Sequence, residues 1–225
     1  MKPPEQLVIL AVDQGAKSGY AIIRAGARVP SAEGMATTAP MRAMAMRQAV
    51  EIAGTPRLVY LVTEDHSKMS LFRGTMHDRD SRVGKRSGKV QRGTAQILGM
   101  GDARGAWREQ ARMVAVPETH FRQVTPADWR RRVLGPSWAR ADTERVREHS
   151  VKWATALLGR TVTHDTAAAV AMACDQALAL PAQLERERVV RRSKRPSGRS
   201  ASELAARNEA LNVAFTPNDT IPLRG

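Results

Sequence analysis

Three carboxylates stand where carboxylates are costly, and that cost points to metal chemistry. Asp13 closes the apolar run Leu7-Val8-Ile9-Leu10-Ala11-Val12. Glu64 follows a second run, Leu58-Val59-Tyr60-Leu61-Val62-Thr63, and Asp165 opens Thr166 to Leu180, an alanine-rich stretch that is apolar nearly all round. A charged carboxylate beside buried strands needs a partner. Hard divalent cations provide one, because they take carboxylate oxygens and neutralise the charge. Two such ions about 3.5 to 4 Å apart activate water and stabilise the leaving oxygen in phosphodiester cleavage. His164, next to Asp165, adds an imidazole that suits Mn2+ better than Mg2+. Taken singly, each acid has an ordinary role: Asp13 as a turn former, Glu64 as a solvated strand-end charge, Asp165 as a first-turn helix acid favoured by the dipole. Only their convergence on one point gives the metal reading its force.

The elements that must position these acids alternate along the chain. The run before Asp13 and the segment Gly19 to Ile23 read as two buried strands joined by a glycine-bearing turn, a hairpin with Asp13 at its mouth. Ala39 to Ala53, set between Pro40 and Gly54, reads as a helix, and Leu58 to Thr63 as another buried strand. Residues 73–93 are basic and poor in apolar side chains, which predicts an exposed, mobile loop. Thr94 to Met113 reads as a helix whose small residues Gly99, Gly101 and Gly105 suit close packing. Met113 to Val116 and Phe121 to Val124 read as short strands. Thr125-Pro126-Ala127-Asp128 opens a helix ending at Gly135, and Ala141-Asp142-Thr143-Glu144 opens another running to Leu158. The buried helix after Asp165 ends near Leu180. The expected organisation is an α/β nuclease domain over residues 1–180 and a basic, partly disordered extension over 181–225.

Charge supplies the partner. Among 225 residues, 36 Lys and Arg face 22 Asp and Glu, a formal +14, which favours a polyanion. Nucleic acid ranks before membrane: no basic amphipathic helix with a bulky apolar face stands out, and no stretch approaches the roughly 20 apolar residues of a span. A single cysteine, Cys174, excludes an intramolecular disulfide and suits a cytoplasmic or nucleoid-associated home. Lys85, Arg86, Lys89 and Arg92 in the basic loop, with Arg104, Arg130, Arg131, Arg140 and Arg145, are the candidates to hold DNA phosphates. Trp107, beside Arg104 and Arg108, is the tryptophan placed for a DNA contact. The segment Arg186 through Arg199, containing Arg191-Arg192-Ser193-Lys194-Arg195, reads as a phosphate-binding arm.

The ordered motifs carry a family likeness. Asp13-Gln14-Gly15 to Ile23, Glu64 after its strand, Gly101-Asp102-Ala103-Arg104-Gly105-Ala106, Thr125-Pro126 through Arg130-Arg131 to Gly135, Ala141-Asp142-Thr143-Glu144-Arg145-Val146 and Asp165-Thr166 through Ala173 stand in the order found in RuvC-like Holliday junction resolvases, over roughly residues 7–180. No one of these motifs is specific, but six in order are. The resemblance implies an RNase H-like fold with a central mixed sheet flanked by helices. It also implies a homodimer, two Mg2+ or Mn2+ ions per site held by Asp13, Glu64 and Asp165, and paired nicks in a four-way DNA junction.

The chain departs from the family pattern in four places. Ala168 stands where a further acid is expected, and His164 is the available substitute ligand. Thr143 stands at a usually basic position, with Arg140 or Arg145 as substitutes. Ser67 replaces an aromatic, with Phe72 the nearest alternative, and the loop at 73–93 is long. Such departures suggest a divergent member, of phage or mobile-element type. They also keep open a non-cleaving protein that binds structured DNA through a degenerate metal site. An actin-like or sugar-kinase-like ATPase shares the opening Asp and hairpin, but its length and the missing second phosphate hairpin count against it.

Overall fold

The structure, a computed structural model, describes residues 6–14, 17–65 and 101–194, the last four by backbone alone. Strands β1 (Val8–Asp13), β2 (Ser18–Arg24) and β3 (Ala32–Ala36) form an antiparallel meander. Strands β4 (Val59–Glu64) and β5 (Phe121–Val124) continue the sheet in parallel beside β1, giving the order β3-β2-β1-β4-β5. This mixed sheet, an antiparallel meander extended by two parallel strands with helices on its faces, is the RNase H-like α/β arrangement.

Strand periodicity decides which side chains share a face. Val8, Leu10 and Val12 of β1, Tyr20 and Ile22 of β2, and Val59 and Leu61 of β4 point to one side. They build a core with α1 (Ala39–Ala53) and α2, which covers residues 101–113. Helix α1 starts behind Thr38 with Pro40 in its first turn, and stops at Gly54, whose φ of 73° is a left-handed cap that only glycine adopts at low cost. Met46 and Ala49 of α1, and Trp107 and Ala111 of α2, have no exposed surface in this layer.

The opposite face carries Ile9, Ala11, Asp13, Gly19, Ala21, Ile23, Tyr60, Val62 and Glu64. Helix α5 (His164–Lys194) lies on this side along the meander. The Thr166 hydroxyl donates to the Gly34 carbonyl at 3.3 Å, and the Gly26 amide donates to the Ala177 carbonyl at 2.9 Å. At Gly19 the approach is closest: a Cβ there would fall 2.2 Å from the carbonyl carbon and oxygen of Asp165. Glycine is required here because two backbones touch.

Several expectations are corrected. Met113 to Val116 is not a strand: α2 runs to 113, Ala115 takes φ 61°, and the Val116 amide turns back to the Ala111 carbonyl. The helix opened by Thr125 is short, α3 (Pro126–Trp129), and gives way to a π turn (Arg130–Leu134) and a 3-10 turn (Pro136–Arg140). Helix α4 (Thr143–Leu158) is capped by the Asp142 side chain, which accepts from the Glu144 amide at 2.9 Å. Helix α5 passes Leu180 and contains Pro181, which removes one hydrogen bond without ending the helix. Over His164–Val190 it is long and apolar enough to cross a membrane by length and composition, contrary to the sequence expectation. Fifty-six per cent of that window is buried, and Ala167, Val170, Ala171 and Ala177 have no exposed surface. Gly101 and Gly105 face open space, so they do not serve close packing among the described residues. The chain divides into two units, Met1–Pro181 and Ala182–Gly225.

Candidate active site

The site forms where β1 and β4 end beside the start of α5. The parallel register pairs Val12 with Thr63, so Asp13 and Glu64 are the next residues on adjacent strands and point to the same face. The antiparallel register sets Asp13 opposite Gly19, and Gly19 is pressed against the Asp165 backbone. Three acids from distant parts of the chain are thereby brought to one end of the sheet.

Their proximity shows in the chemistry of Asp13. Asp13 is half-buried as a residue, but protein surrounds most of its carboxyl. Burial, with the negative charges of Glu64 and Asp165, pushes its pKa from 3.8 to about 8, while Arg147 and Arg130 pull it part of the way back. Two acids held at one point cannot both ionise cheaply without a cation. Asp13 therefore carries a proton at neutral pH unless positive charge arrives to displace it.

Neighbouring groups hold the other two acids. The indole N–H of Trp129 donates to Glu64 Oε1 at 2.9 Å, and Gln14 Nε2 donates to the Glu64 backbone carbonyl at 2.7 Å. Gln14 is 2% exposed, and its Oε1 has no hydrogen-bond partner among the described residues. His164 Nε2 lies 2.8 Å from Asp165 Oδ1, so the imidazole is turned onto the carboxylate beside it. Among the described residues no three His, Cys, Asp or Glu side chains are gathered tightly enough to ligate one ion as they stand. The donor set nonetheless suits a hard divalent cation: three carboxylates, one of them kept protonated by burial and by the charge of its neighbours, and an orphaned amide oxygen beside them.

The candidate DNA contacts fall in different places. Lys85, Arg86, Lys89 and Arg92 lie outside the described residues, as do Ser67 and Phe72. Arg104 is half-buried on α2, and Arg131, Arg140 and Arg145 are exposed. Arg130 is half-buried, with its guanidinium 5.5 Å from the centre of the Trp129 ring. Trp107 is not a DNA contact: it has no exposed surface and packs in the core 6.5 Å from the Tyr20 ring. Sequence reasoning missed Trp129, Gln14 and Arg147. Arg147 sits four residues, one helical turn, beyond Thr143 on α4, and that spacing was the only available signal.

A further buried acid anchors this corner. Asp175 on α5, 3% exposed, is clasped by Arg132 of the π turn through Nε at 2.5 Å and Nη2 at 2.8 Å, and also accepts from Gln176 Nε2 at 2.8 Å. Burial and the nearby Asp175 charge push the neighbouring Cys174 thiol up to about 11, so it stays protonated and acts as packing.

Fold and site together define an α/β protein of RNase H-like architecture with carboxylates converging at one end of its sheet. No family model and no curated protein sequence matches the chain. Among solved structures, RuvC from Thermus thermophilus is similar at 13% sequence identity and a TM-score of 0.46, over 80% of this chain and 97% of that one.

Proposed function

We propose that the protein is a divalent-metal-dependent endonuclease acting on branched DNA, with four-way junctions as the leading substrate. One observation carries the reading: Asp13, Glu64 and Asp165 converge from β1, β4 and α5 on one face, where burial and the charges of the other two hold a proton on Asp13. A protein with a formal charge of +14 that gathers acids at one point has use for cations there and for a polyanion around it. The order of sequence motifs resembling RuvC-like resolvases supports the junction as substrate and a homodimer as the working form. In a dimer, two such sites would make paired nicks.

Asp13, Glu64 and Asp165 would hold Mg2+ or Mn2+, with Gln14 Oε1 as a further oxygen donor. Bound ions would supply a water of lowered pKa and would offset charge on the phosphate. For loading, Asp13 must release its proton to solvent. Arg130 and Arg147 approach the site from the π turn and α4 and would hold the non-bridging phosphate oxygens. Exposed Arg131, Arg140 and Arg145 would track the flanking backbone, where contacts position DNA without reading sequence. His164 would act through Asp165, steadying its carboxylate.

The test is cleavage of a synthetic four-way junction, a flap and a linear duplex with Mg2+ or Mn2+, beside Asp13→Asn, Glu64→Gln and Asp165→Asn. Metal-dependent cutting of the junction in preference to the duplex, lost in all three variants, is the expected result. Tight junction binding without cutting in either metal would instead favour the non-cleaving reading that Ala168 keeps open. Equal cutting of junction and duplex would remove structure selectivity.

A further inference from the structure

Trp129 has no part in the metal-ligand chemistry proposed above, yet it touches the site at a defined atom. It is 2% exposed, and its indole N–H, a donor with no accepting capacity, meets Glu64 Oε1 at 2.9 Å. A neutral donor orients a carboxylate without cancelling its charge. Glu64 is thus oriented by a donor that leaves its negative charge in place for a cation.

The surrounding chain is built to keep the indole there. Glu64 is paired with Val124 in the β4–β5 register, and the ladder extends one step through the Asp65 amide to the Val124 carbonyl at 2.8 Å. Thr125 follows at once and caps α3, its hydroxyl donating to Asp128 Oδ2 at 2.6 Å and accepting from the Asp128 amide at 3.2 Å. Trp129 is therefore delivered from the strand beside Glu64 by a single helical turn. Beyond it the helix widens to a π turn, a local geometry often retained for function. Arg132 of that turn is locked to buried Asp175 of α5. The indole is fixed from both sides, by the β5 ladder and by α5.

We infer that Trp129 is a positioning residue for metal loading: its indole N–H fixes the Glu64 carboxylate in the orientation that receives the ion. The inference rests on the metal-dependent reading of the site. It also gives Arg130 a role, because its guanidinium lies over the same ring and its buried Nε has no partner among the described residues. One aromatic side chain thus carries the acid on its edge and the phosphate-directed cation on its face.

The experiment compares the wild-type protein with Trp129→Phe, which keeps most of the ring and removes the N–H. A second variant carries 3-benzothienylalanine at position 129, where sulfur replaces the N–H in an isosteric ring and keeps the test decisive if Phe unfolds the protein. Mn2+ binding is measured by calorimetry without DNA, and junction cleavage is measured against Mn2+ concentration. Loss of an outer partner of a metal ligand costs about 10- to 100-fold in affinity. The expected result is Mn2+ binding at least tenfold weaker in both variants, half-maximal cleavage displaced to higher Mn2+ by the same factor, and a rate at saturating Mn2+ within about threefold of wild type. Unchanged Mn2+ affinity in a folded variant overturns the positioning role and leaves the nuclease reading standing. Wild-type protein that binds no Mn2+ overturns both.

Discussion

Replacing Asp13 by Asn should abolish cleavage and at the same time stabilise the metal-free protein. In the folded state the Asp13 pKa is about 8, against an ordinary 3.8, because burial and the charges of Glu64 and Asp165 disfavour its ionised form. A group whose folded pKa is raised adds most to stability below its unfolded pKa. That contribution is lost as pH rises towards the folded value. At pH 7 the folded chain must keep a proton that the unfolded chain releases, and at about 1.4 kcal/mol per pH unit the mismatch costs up to about 4 kcal/mol. Asn has the same shape and no charge to suppress. The predicted gain for Asp13→Asn is therefore up to about 4 kcal/mol at pH 7, about 1.5 at pH 5 and about 6 above pH 8.5. The partial exposure of Asp13 makes these upper bounds. For a domain of this size, at about 2 to 4 °C per kcal/mol, the pH 7 gain corresponds to a Tm rise on the order of 10 °C. Urea denaturation of both proteins in EDTA at pH 5, 7 and 8.5 measures the gain directly. A variant no more stable than wild type at pH 8.5, or a gain that does not grow with pH, would refute the argument that the acids crowd one another. Added Mg2+ should raise the stability of the wild type and leave the variant unchanged.

Three further predictions follow from the packing and charge. Gly19→Ala forces a Cβ onto the Asp165 backbone, where no side chain can move aside. It should cost about 1 to 3 kcal/mol in denaturation and displace Asp165, so cleavage should fall more than stability alone explains. Arg132→Ala leaves Asp175 buried without its guanidinium partner. A loss of about 3 to 5 kcal/mol is expected, with much of it restored in Arg132→Ala/Asp175→Asn, and a double-mutant cycle without that rescue would sink the anchoring role. If the basic arm holds phosphate, changing Arg186, Arg188, Arg191 and Arg192 to Gln should weaken junction binding and lower the slope of log affinity against log salt by up to about 0.9 per lost contact. An unchanged slope would show that the arm makes no phosphate contact.

Asp13 and Glu64 were legible in the sequence because each ends a run of apolar residues, and a charge at such a boundary is visible without knowing the partner strand. The limits of α1 were legible for a similar local reason, from Pro40 and Gly54. Strand β3 was not: Ala32-Glu33-Gly34-Met35-Ala36 has neither alternation nor β-branched residues, and it is a strand because β2 pairs with it. Residues Val114 to Val116 looked like a strand by composition, yet a helix end and a left-handed Ala115 turned them into a corner. Trp129 was hidden most deeply. Its partner Glu64 lies 65 residues earlier, so nothing in the local sequence distinguishes it from a core tryptophan. Trp107, one turn from Arg104 and flanked by Arg108, looked like the DNA-facing tryptophan and is the buried one. Periodicity assigns faces to elements, whereas choosing between two tryptophans requires knowing which elements meet.

If the protein is the nuclease proposed above, the contact between Gly19 and Asp165 also sets when it could first cut DNA. Some 150 residues separate Asp13 from Asp165, so at roughly 5 to 20 residues per second the ribosome makes the hairpin about 8 to 30 seconds before it makes the third acid. Once Glu64 has followed, the nascent chain holds basic side chains and two of the three acids but lacks the start of α5, which carries the third. On that reading, a chain stalled or truncated before α5 would lack one of the three proposed metal ligands. Helix α5 then acts as a safety catch, since the site closes only once its first turn has been made and has docked on Gly19.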